Sequence, residues 1–154
     1  MGRQLSGWAL NRAIALAQGW TMRRSPDSDP AYWPGHFWWE LIDPDYVRRD
    51  GQVGPLLLAT VLARSKGEAW RHVWADSGLD WSHEIDDALS LCIDLSCERR
   101  QSITLSFDCG RPEPWAAAMV GQDGKTAGQA AGKTSAEALA RLALSVLQKG
   151  GEEK

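Results

Sequence analysis

The chain has no long apolar run, no even set of cysteines and no large excess of either charge. Three cysteines occur in 154 residues, at positions 92, 97 and 109, so they cannot all pair, and no two of them form a CxxC motif. The longest largely apolar stretch, residues 56–63, is far shorter than the roughly 20 residues that a membrane-spanning helix needs. These absences favour a cytosolic protein with reduced thiols and disfavour a membrane anchor and a zinc site built from closely spaced ligands.

The charge balance disfavours general nucleic-acid binding. Lys and Arg number 17 against 20 for Asp and Glu, which gives a net charge of −3. A protein that neutralises many phosphates carries an excess of basic side chains, and this chain has only scattered Arg pairs. No secretory signal is expected before the first helix. The length suits one self-sufficient domain.

Tryptophan, in contrast, is abundant. The chain has nine, and seven of them lie between Trp20 and Trp81, both included. Large indole side chains serve as core residues, and they are also enriched in the binding hot spots of protein interfaces. Both interpretations stay open, and the candidates for exposed partner-binding anchors are Trp33, Trp38 and Trp39.

Local patterns in the first half predict short elements joined by a proline-rich loop. Ser6 is a suitable N-cap for a first helix, and Gly19 suits the left-handed position that ends it. The other expected elements, in order, are a loop at 21–34, a strand at 36–42, a helix from Gly54-Pro55 to 65–67, a strand at 70–74 and a turn at 76–80.

The second half predicts a helix–strand–strand–helix unit over 81–148. Ser82 is expected to cap the first of these helices, with Cys92 on its buried face. That face is expected to comprise Ile85, Ala88, Leu89, Cys92 and Ile93. Alternating apolar residues predict strands at 103–107 and 115–119, with a weak edge strand at 125–131. Cys109, in the turn between the first two strands, is also expected in the core.

A capping box opens the last helix. Thr134 is followed three residues later by Glu137 and then by a regular apolar stripe that predicts a helix to about Gln148. Residues 149–154 are expected to form a flexible tail. The fold class predicted from all these elements is α+β, a three-layer α/β/α-type sandwich with a small, mostly antiparallel sheet and the N- and C-terminal helices packed on it. Residues 1–154 are expected to form a single domain.

Five segments together resemble the phage ABA-sandwich domain family, small bacteriophage proteins with a sheet between helices. They are Leu10–Trp20, Trp81–Leu89, Ile103–Asp108, Trp115–Met119 and Gly132–Leu147. In that family a Gly-Trp pair ends the first helix, an aromatic-Ser/Thr-Asp-Ile-like phrase opens the middle helix, and a Thr-x-x-Ala-rich helix closes the domain. The resemblance covers about half of the chain. It implies a phage origin, the cytoplasm of a bacterial host, and no assigned reaction.

The chain departs from that family at residues 21–80, a Trp-rich insertion between the first and middle helices. Because shorter relatives lack this insertion, their function does not carry over to it. Whether it forms a subdomain or lies across the sheet is open from the sequence.

The segment Gly128 to Thr134 is similar to a phosphate-binding loop but has three residues between its glycines, where that loop has four. The start of the last helix is also loosely similar to that of double-stranded-RNA-binding domains. Lys125, Lys133 and Thr134 are therefore candidate anion-binding residues. They support an alternative function as a nucleic-acid or nucleotide-binding module.

An acidic segment in the middle of the chain supports a protein-binding function. Residues 76–98 contain seven Asp or Glu and no Lys or Arg. Such a segment is either a solvated helix face or a surface that docks a basic partner. Together with the family resemblance, the lack of a catalytic cluster and the Trp-rich insertion, this segment leads us to expect a non-enzymatic phage accessory protein that binds a host or phage protein. Its specific form is expected to be an inhibitor of a bacterial defence system. The expected contacts are the tryptophans above and Glu84, Asp86 and Asp87.

No residue set specifies a catalytic site, a metal or a cofactor, so none is expected. An exposed edge at 125–131 would allow a homo-oligomer through sheet-to-sheet pairing, and the sequence leaves open whether this edge is exposed or covered.

Overall fold

The chain folds into helices packed on small antiparallel sheets. The computed structural model describes residues 5–26 and 34–152. The elements, in chain order, are α1 (Gly7–Ala17), β1 (Thr21–Arg24), β2 (Phe37–Val47), β3 (Val53–Ala63), α2 (Lys66–Ser77), α3 (Ile85–Arg99), β4 (Gln101–Phe107), β5 (Trp115–Gly121), β6 (Thr126–Gly132) and α4 (Ser135–Glu152). The strands form two antiparallel sheets, in the orders β1-β2-β3 and β4-β5-β6. The predicted α+β sandwich is confirmed, with two sheets where one was expected.

Two compact units make up the chain. Unit one consists of Met1–Ala17 and Asp80–Lys154, and unit two consists of Gln18–Leu79. Unit one contains α1, α3, α4 and the β4–β6 sheet. Unit two contains α2 and the β1–β3 sheet, and its bounds lie close to those of the Trp-rich insertion.

Unit two is built around a long hairpin. β2 and β3 pair from Phe37 opposite Ala63 to Val47 opposite Val53. The short strand β1 adds to the other side of β2 within a region predicted as loop, and it contributes Met22 to the core. β2 also continues five residues past the predicted end at Ile42, because an irregular stretch of its pairing with β3 accommodates Pro44 within the strand.

The expected helix from Gly54 is wrong, and the segment is strand β3. A short apolar run such as 56–63 fits a buried strand as well as a helix, and the pairing with β2 decides between them. Both prolines of the hairpin, Pro44 and Pro55, fall in the irregular stretch between the pairs Asp43–Leu56 and Tyr46–Gly54. A proline cannot donate to a ladder, so this irregular stretch is where the sheet accommodates it.

The expected strand at 70–74 is also wrong, since these residues lie inside α2. Ser65 is the N-cap, and its hydroxyl accepts a hydrogen bond from the Glu68 amide at 3.2 Å. The spacing Ser65-x-x-Glu68 is itself a capping-box signal. The buried positions of α2 recur at helical spacing and cover the sheet of unit two; they are Ala69, Trp70, Val73 and Trp74. The strand was expected because the aromatic side chains of this segment, Trp70, His72 and Trp74, recur at a spacing of two.

In unit one, α4 lies directly on β5 and β6. A Cβ atom added at Gly132 would be 2.6 Å from the Ala138 backbone nitrogen, and one added at Gly128 would be 3.1 Å from a Val146 methyl carbon. Glycine is therefore required on β6 so that the helix can approach. The core between these elements includes Met119, Leu139, Leu142, Ala143 and Val146.

The strands of unit one and the capping box of α4 are confirmed. Thr134 Oγ1 accepts a hydrogen bond from the Glu137 amide at 3.1 Å, and Glu137 Oε1 accepts one from the Lys133 amide at 3.1 Å. α4 continues to Glu152, beyond the expected end at Gln148. α1 packs against α4 and ends before Gly19, whose φ of +87° confirms the predicted left-handed position.

The predicted cap of α3 is wrong. The helix begins at Ile85 with Glu84 as its N-cap residue, and Ser82 lies in the preceding turn. The Ser82 hydroxyl is used instead in a hydrogen bond to Asp80, and the His83 and Glu84 amides donate to the Asp80 carbonyl oxygen. α3 packs against α4, where the Cys92 thiol donates to the Leu139 carbonyl oxygen at 3.2 Å.

Candidate functional site

Helix α3 carries an apolar stripe that its own unit does not bury. Its core positions repeat at three- and four-residue spacing, and they are Ala88, Cys92, Leu95 and Ser96. Ile85, Leu89 and Ile93 follow one another at a spacing of four and are 43%, 37% and 46% exposed. They were expected on the buried face, so that prediction is wrong for all three.

The width of the apolar face was the signal for this stripe. At about 100° per residue, the apolar positions of α3 span roughly 200°, whereas a helix packed on one side of a core needs an arc of about 100°. Leu91 lies near one limit of the arc and Ile93 near the other. An arc that exceeds what the core needs leaves large side chains in solvent.

Acidic side chains border the stripe at the start of α3. Glu84 and Asp86 are exposed, and Asp87 is half-buried. Carboxylates in the first turn are favoured by the positive end of the helix dipole. Asp87 also has a structural task, because its Oδ2 accepts a hydrogen bond from the Asp80 amide at 3.0 Å. Glu84 and Asp86 are thus the two predicted carboxylates with side chains directed to solvent, and with Ile85, Leu89 and Ile93 they form what we term the α3 surface.

A polar network fixes the turn that leads into this surface. The Asn11 amide nitrogen donates to Asp80 Oδ1 at 2.9 Å, and the Asn11 amide oxygen accepts from the Ser82 backbone at 3.0 Å. The Ser82 hydroxyl donates to the same Asp80 oxygen at 2.7 Å. Asn11 and Ser82 are buried, and the network joins α1 to the turn before α3.

Asp80 is held as a carboxylate in this network. Its partial burial raises the pKa, but the hydrogen bonds from Asn11 and Ser82 and the contact with His83 outweigh that effect and lower the pKa below its ordinary value. Hydrogen bonds to the charged form stabilise it relative to the protonated form.

Ser82, His83 and Asp80 do not have the geometry of a catalytic triad. In a triad the serine and the carboxylate contact different nitrogens of the imidazole. Here Ser82 Oγ lies 2.9 Å and Asp80 Oδ2 lies 2.9 Å from the same His83 Nδ1. The serine hydroxyl already donates to Asp80, so the three side chains stabilise the turn.

The predicted tryptophans fall into three different situations. Trp39 Nε1 donates to the Ala63 carbonyl oxygen at 3.1 Å, which gives this side chain a structural role within unit two. Trp38, on the opposite face of β2, is 45% exposed. Trp33 lies outside the described residues. Trp38 and Trp39 belong to unit two, whereas Glu84, Asp86 and Asp87 belong to unit one.

The candidate anion-binding residues surround a helix N-terminus that already has a carboxylate. Glu137 Oε1 accepts from the Lys133 amide and lies 3.1 Å from Arg141 Nη1. Thr134 Oγ1 accepts from the Glu137 amide at the same end. Lys125 lies in the turn before β6, where its amide donates to Asp123 Oδ1 at 3.0 Å. Anion binding by Lys125, Lys133 and Thr134 stays a prediction.

The face of the β4–β6 sheet opposite α4 forms a shallow groove of about 330 Å³. Its lining consists mainly of alanines, with the side chains of Thr104, Ser106, Gln129 and Arg111. Arg111 Nε lies 3.2 Å from Asp108 Oδ2, so its charge is paired locally. Among the described residues that line this groove, none is a His, Asp, Glu or Lys that could act as a base toward the hydroxyls of Thr104 and Ser106.

The three cysteines are free and differ in environment. Cys92 is buried, as predicted, and burial raises the pKa of its thiol to about 12. Cys109 is exposed, so its predicted place in the core is wrong; it lies in the turn after β4, where the pattern of apolar alternation has ended. Among the described residues, no group of three or more His, Cys, Asp or Glu side chains is arranged to hold a metal ion.

Comparison with models of known families, with curated proteins and with solved structures gave no match. Within the described part of the chain, none of the helices is long and apolar enough to span a membrane.

Proposed function

We propose that this chain is a non-enzymatic binding protein whose α3 surface docks another protein. The observation that carries the proposal is the exposed row of Ile85, Leu89 and Ile93, which lies beside the buried face of α3 formed by Ala88, Cys92, Leu95 and Ser96. A row of large apolar residues at a spacing of four is the pattern by which a helix contacts a partner groove. Full burial of such a side chain is worth about 1.5–3 kcal/mol, and each of these three has less than half of its surface left to bury. The stripe therefore supplies part of the binding free energy, and further contacts must offset the cost of association.

The charge beside the stripe indicates the chemistry of the partner. Glu84 and Asp86 are exposed at the end of the stripe that begins α3. Carboxylates at the rim of an apolar contact favour a partner with basic residues around an apolar groove, and they accelerate association with it. We therefore propose a host or phage protein with such a groove as the partner. Inhibition of a bacterial defence system is the specific form proposed, and it rests on the phage resemblance of the sequence.

The alternative is a nucleic-acid or nucleotide-binding module that uses Lys125 and Lys133. The placement of Glu137 at the N-terminus of α4 weighs against it, because a bound phosphate would compete with that carboxylate. Its binding should weaken steeply with salt, since contacts to phosphates release counterions.

Affinity capture from bacterial lysate, with and without nuclease and with mass spectrometry of the retained proteins, separates the two functions. The proposed function predicts a stoichiometric protein that survives nuclease. Retained material that disappears with nuclease would contradict it and favour the alternative.

Charge reversal tests the site. The double variant Glu84→Lys with Asp86→Lys is expected to lose the captured protein, and Trp38→Ala tests the tryptophan in unit two separately. Asp87 is left unchanged because its reversal would remove the hydrogen bond to the Asp80 amide. Asp94→Lys with Glu98→Lys is the matched control, because it makes the same charge change on the same helix at exposed positions away from the stripe. Unchanged capture by the first double variant would show that the acidic residues are not part of the interface.

A further inference from the structure

Each sheet leaves two edge strands, and their backbones are available for pairing with another chain. Natural proteins protect such edges with charge, proline, irregular pairing or side chains that occupy the backbone groups. In the part of the chain that the structure describes, the edge strands are β1 and β3 in unit two and β4 and β6 in unit one. Three of these four carry recognisable protection.

The edges of unit two have two kinds of protection. β1 has four residues and ends with Arg23 and Arg24. Arg23 Nε donates to Glu40 Oε1 at 3.0 Å, which adds a charged pair near that edge. β3 contains Pro55 and two interruptions in its register with β2.

β6 is covered by cationic side chains from α4. Lys149 Nζ donates to the Ala127 carbonyl oxygen at 2.9 Å, and Arg141 Nη1 donates to the Ala131 carbonyl oxygen at 2.8 Å. These two contacts occupy backbone acceptors along the strand. Of the two alternatives that the sequence left open for the edge at 125–131, exposed or covered, these contacts favour a partly covered edge.

β4 lacks all of these protections. Its seven residues, Gln101–Phe107, contain no charge, proline or glycine. All seven pair with β5 in one continuous register. Leu105 and Phe107 are 39% and 56% exposed. They lie on the same face of the sheet as the buried residues Ala117 and Met119, but near the edge that α4 leaves uncovered. An uncharged, regular edge with exposed apolar side chains is the kind that pairs with another strand.

The residues at the two ends of β4 determine what kind of strand fits. Arg99 and Arg100 precede the strand, and Asp108 follows it. A parallel copy would bring arginine beside arginine and aspartate beside aspartate. An antiparallel copy brings the arginines of each chain toward Asp108 of the other, a carboxylate that also contacts Arg111 of its own chain at 3.2 Å. It also avoids placing the arginine pairs of the two chains side by side.

We propose that β4 pairs antiparallel with β4 of a second copy of this chain, centred on Thr104, and so joins two three-stranded sheets into one of six strands. In this register Ser102 lies opposite Ser106, Ile103 opposite Leu105, and Gln101 opposite Phe107. Hydroxyls then share the open face of the sheet, and the apolar side chains share the other face with Gln101. Arg100, which precedes the strand and has a left-handed backbone with a φ of +55°, lies near Asp108 of the other copy. The contact is isologous, which is the usual geometry of a two-fold dimer.

Two substitutions in one row of the sheet test the interface. Thr104, Ala118 and Gln129 are consecutive partners across β4, β5 and β6. Thr104→Lys places like charges opposite each other on the dimer axis, and since like charges that face each other across an interface are strongly unfavourable, it is expected to raise the dimer dissociation constant more than about tenfold. Gln129→Lys makes the same kind of change on the exposed face of the other edge strand and should leave the dimer intact.

Sedimentation velocity over a range of concentrations of the purified chain measures both effects. A wild-type chain that stays monomeric at all concentrations would overturn the proposal. A dimer that survives Thr104→Lys would overturn it as well, because the interface would then lie elsewhere. Since this experiment contains no other protein, its result is independent of the proposed function of the α3 surface.

Disulfide trapping tests the register. Cys97 and Cys109 are exposed and are first replaced by serine, whereas Cys92 is buried and is kept. In that background Thr104→Cys is expected to form a covalent dimer under mild oxidation, because opposite residues of paired strands have the Cα separation that a disulfide needs. Ser102→Cys should not, since each residue 102 faces residue 106 of the other copy. Cross-linking through 102 and not through 104 would overturn the proposed register.

Discussion

Both units place helices on one face of a three-stranded antiparallel sheet, but they make the contact with opposite kinds of side chain. In unit two the helix supplies Trp70 and Trp74, whose ring centroids are 6.2 Å apart, and indole area fills the space above the sheet. In unit one the strand supplies Gly128 and Gly132, and the helix backbone comes close enough that no Cβ fits at Gly132.

The comparison shows two ways for a short chain to bury a helix on a sheet. Bulky aromatic side chains give a large apolar area per residue and keep the backbones apart. Glycine and alanine bring the backbones together, so that many atoms of both elements are in van der Waals contact. The first arrangement should be sensitive to loss of volume and the second to gain of volume.

Removal of an indole should have the largest effect. Trp70→Ala is expected to lower the free energy of unfolding by about 3–5 kcal/mol, because the side chain is 2% exposed and its removal leaves a cavity. Trp38→Ala is the control on the same sheet, and since that side chain is 45% exposed its effect should stay within about 1 kcal/mol. Urea denaturation of both variants measures the difference, and equal losses would contradict the assignment of Trp70 to the core.

Addition of a single methyl group should have the next largest effect. Gly132→Ala is expected to cost about 2–3 kcal/mol, because the new Cβ would meet the backbone of α4. Gly54→Ala is the matched control in the other unit, where an added Cβ meets nothing within 4 Å, and its effect should be close to zero. A neutral Gly132→Ala, measured by the same denaturation, would show that helix and strand are not in close contact.

Acidification should remove a smaller contribution to the free energy of unfolding, one that comes from Asp80 in unit one. The pKa of Asp80 is lower in the folded chain than its ordinary value of 3.8. The unfolded chain therefore binds more protons near that pH, so the contribution is complete above about pH 5 and is lost as the pH falls through the folded pKa. Asp80→Asn is expected to cost about 1–2 kcal/mol at neutral pH and to lose less stability than the wild type between about pH 5 and pH 3.

Urea denaturation at several pH values measures whether Asp80→Asn loses less stability in acid than the wild type does. Parallel curves for wild type and Asp80→Asn across the acid range would contradict the role given to the Asn11–Asp80–Ser82 network.

Thiol reactivity should probe unit one without changing its stability. Cys97 and Cys109 are exposed and are expected to react with an alkylating reagent in the folded chain. Cys92 is buried with a pKa of about 12, so it should react only when the chain unfolds. Mass spectrometry of the labelled chain counts the modified residues, and rapid labelling of Cys92 would contradict its packing against α4.

The same contrast explains which elements the sequence predicts well. Unit one has strands with clean alternation, as at Ile103, Leu105 and Phe107, and a capping box at Thr134, so local chemistry alone determines these elements. In unit two the run at 56–63 fits a helix or a strand by composition, and only its pairing with β2 selects the strand. At 70–74 the spacing of two between Trp70, His72 and Trp74 favoured a strand. The capping-box spacing of Ser65 and Glu68, where a helix was expected to end, is the local signal for the helix that begins there.

The candidate site was predicted in part. Glu84 and Asp86 were recognised by charge, because acidic residues without basic neighbours stand out in the sequence. Ile85, Leu89 and Ile93 were assigned to the core, since apolar spacing shows that residues share a face but not how much of that face the neighbouring helix covers. The unprotected edge at β4 required the strand order, which the sequence does not specify.

The most direct test of the α3 surface is quantitative capture by the wild type and by Leu89→Lys, with Asp94→Lys as the control on the same helix. Leu89 lies in the middle of the exposed stripe, and Asp94 is exposed on α3 away from it. The account predicts that a nuclease-resistant partner is retained by the wild type and by Asp94→Lys and is lost with Leu89→Lys, while all three chains unfold at similar urea concentrations. Full retention of the partner by a folded Leu89→Lys chain would contradict it.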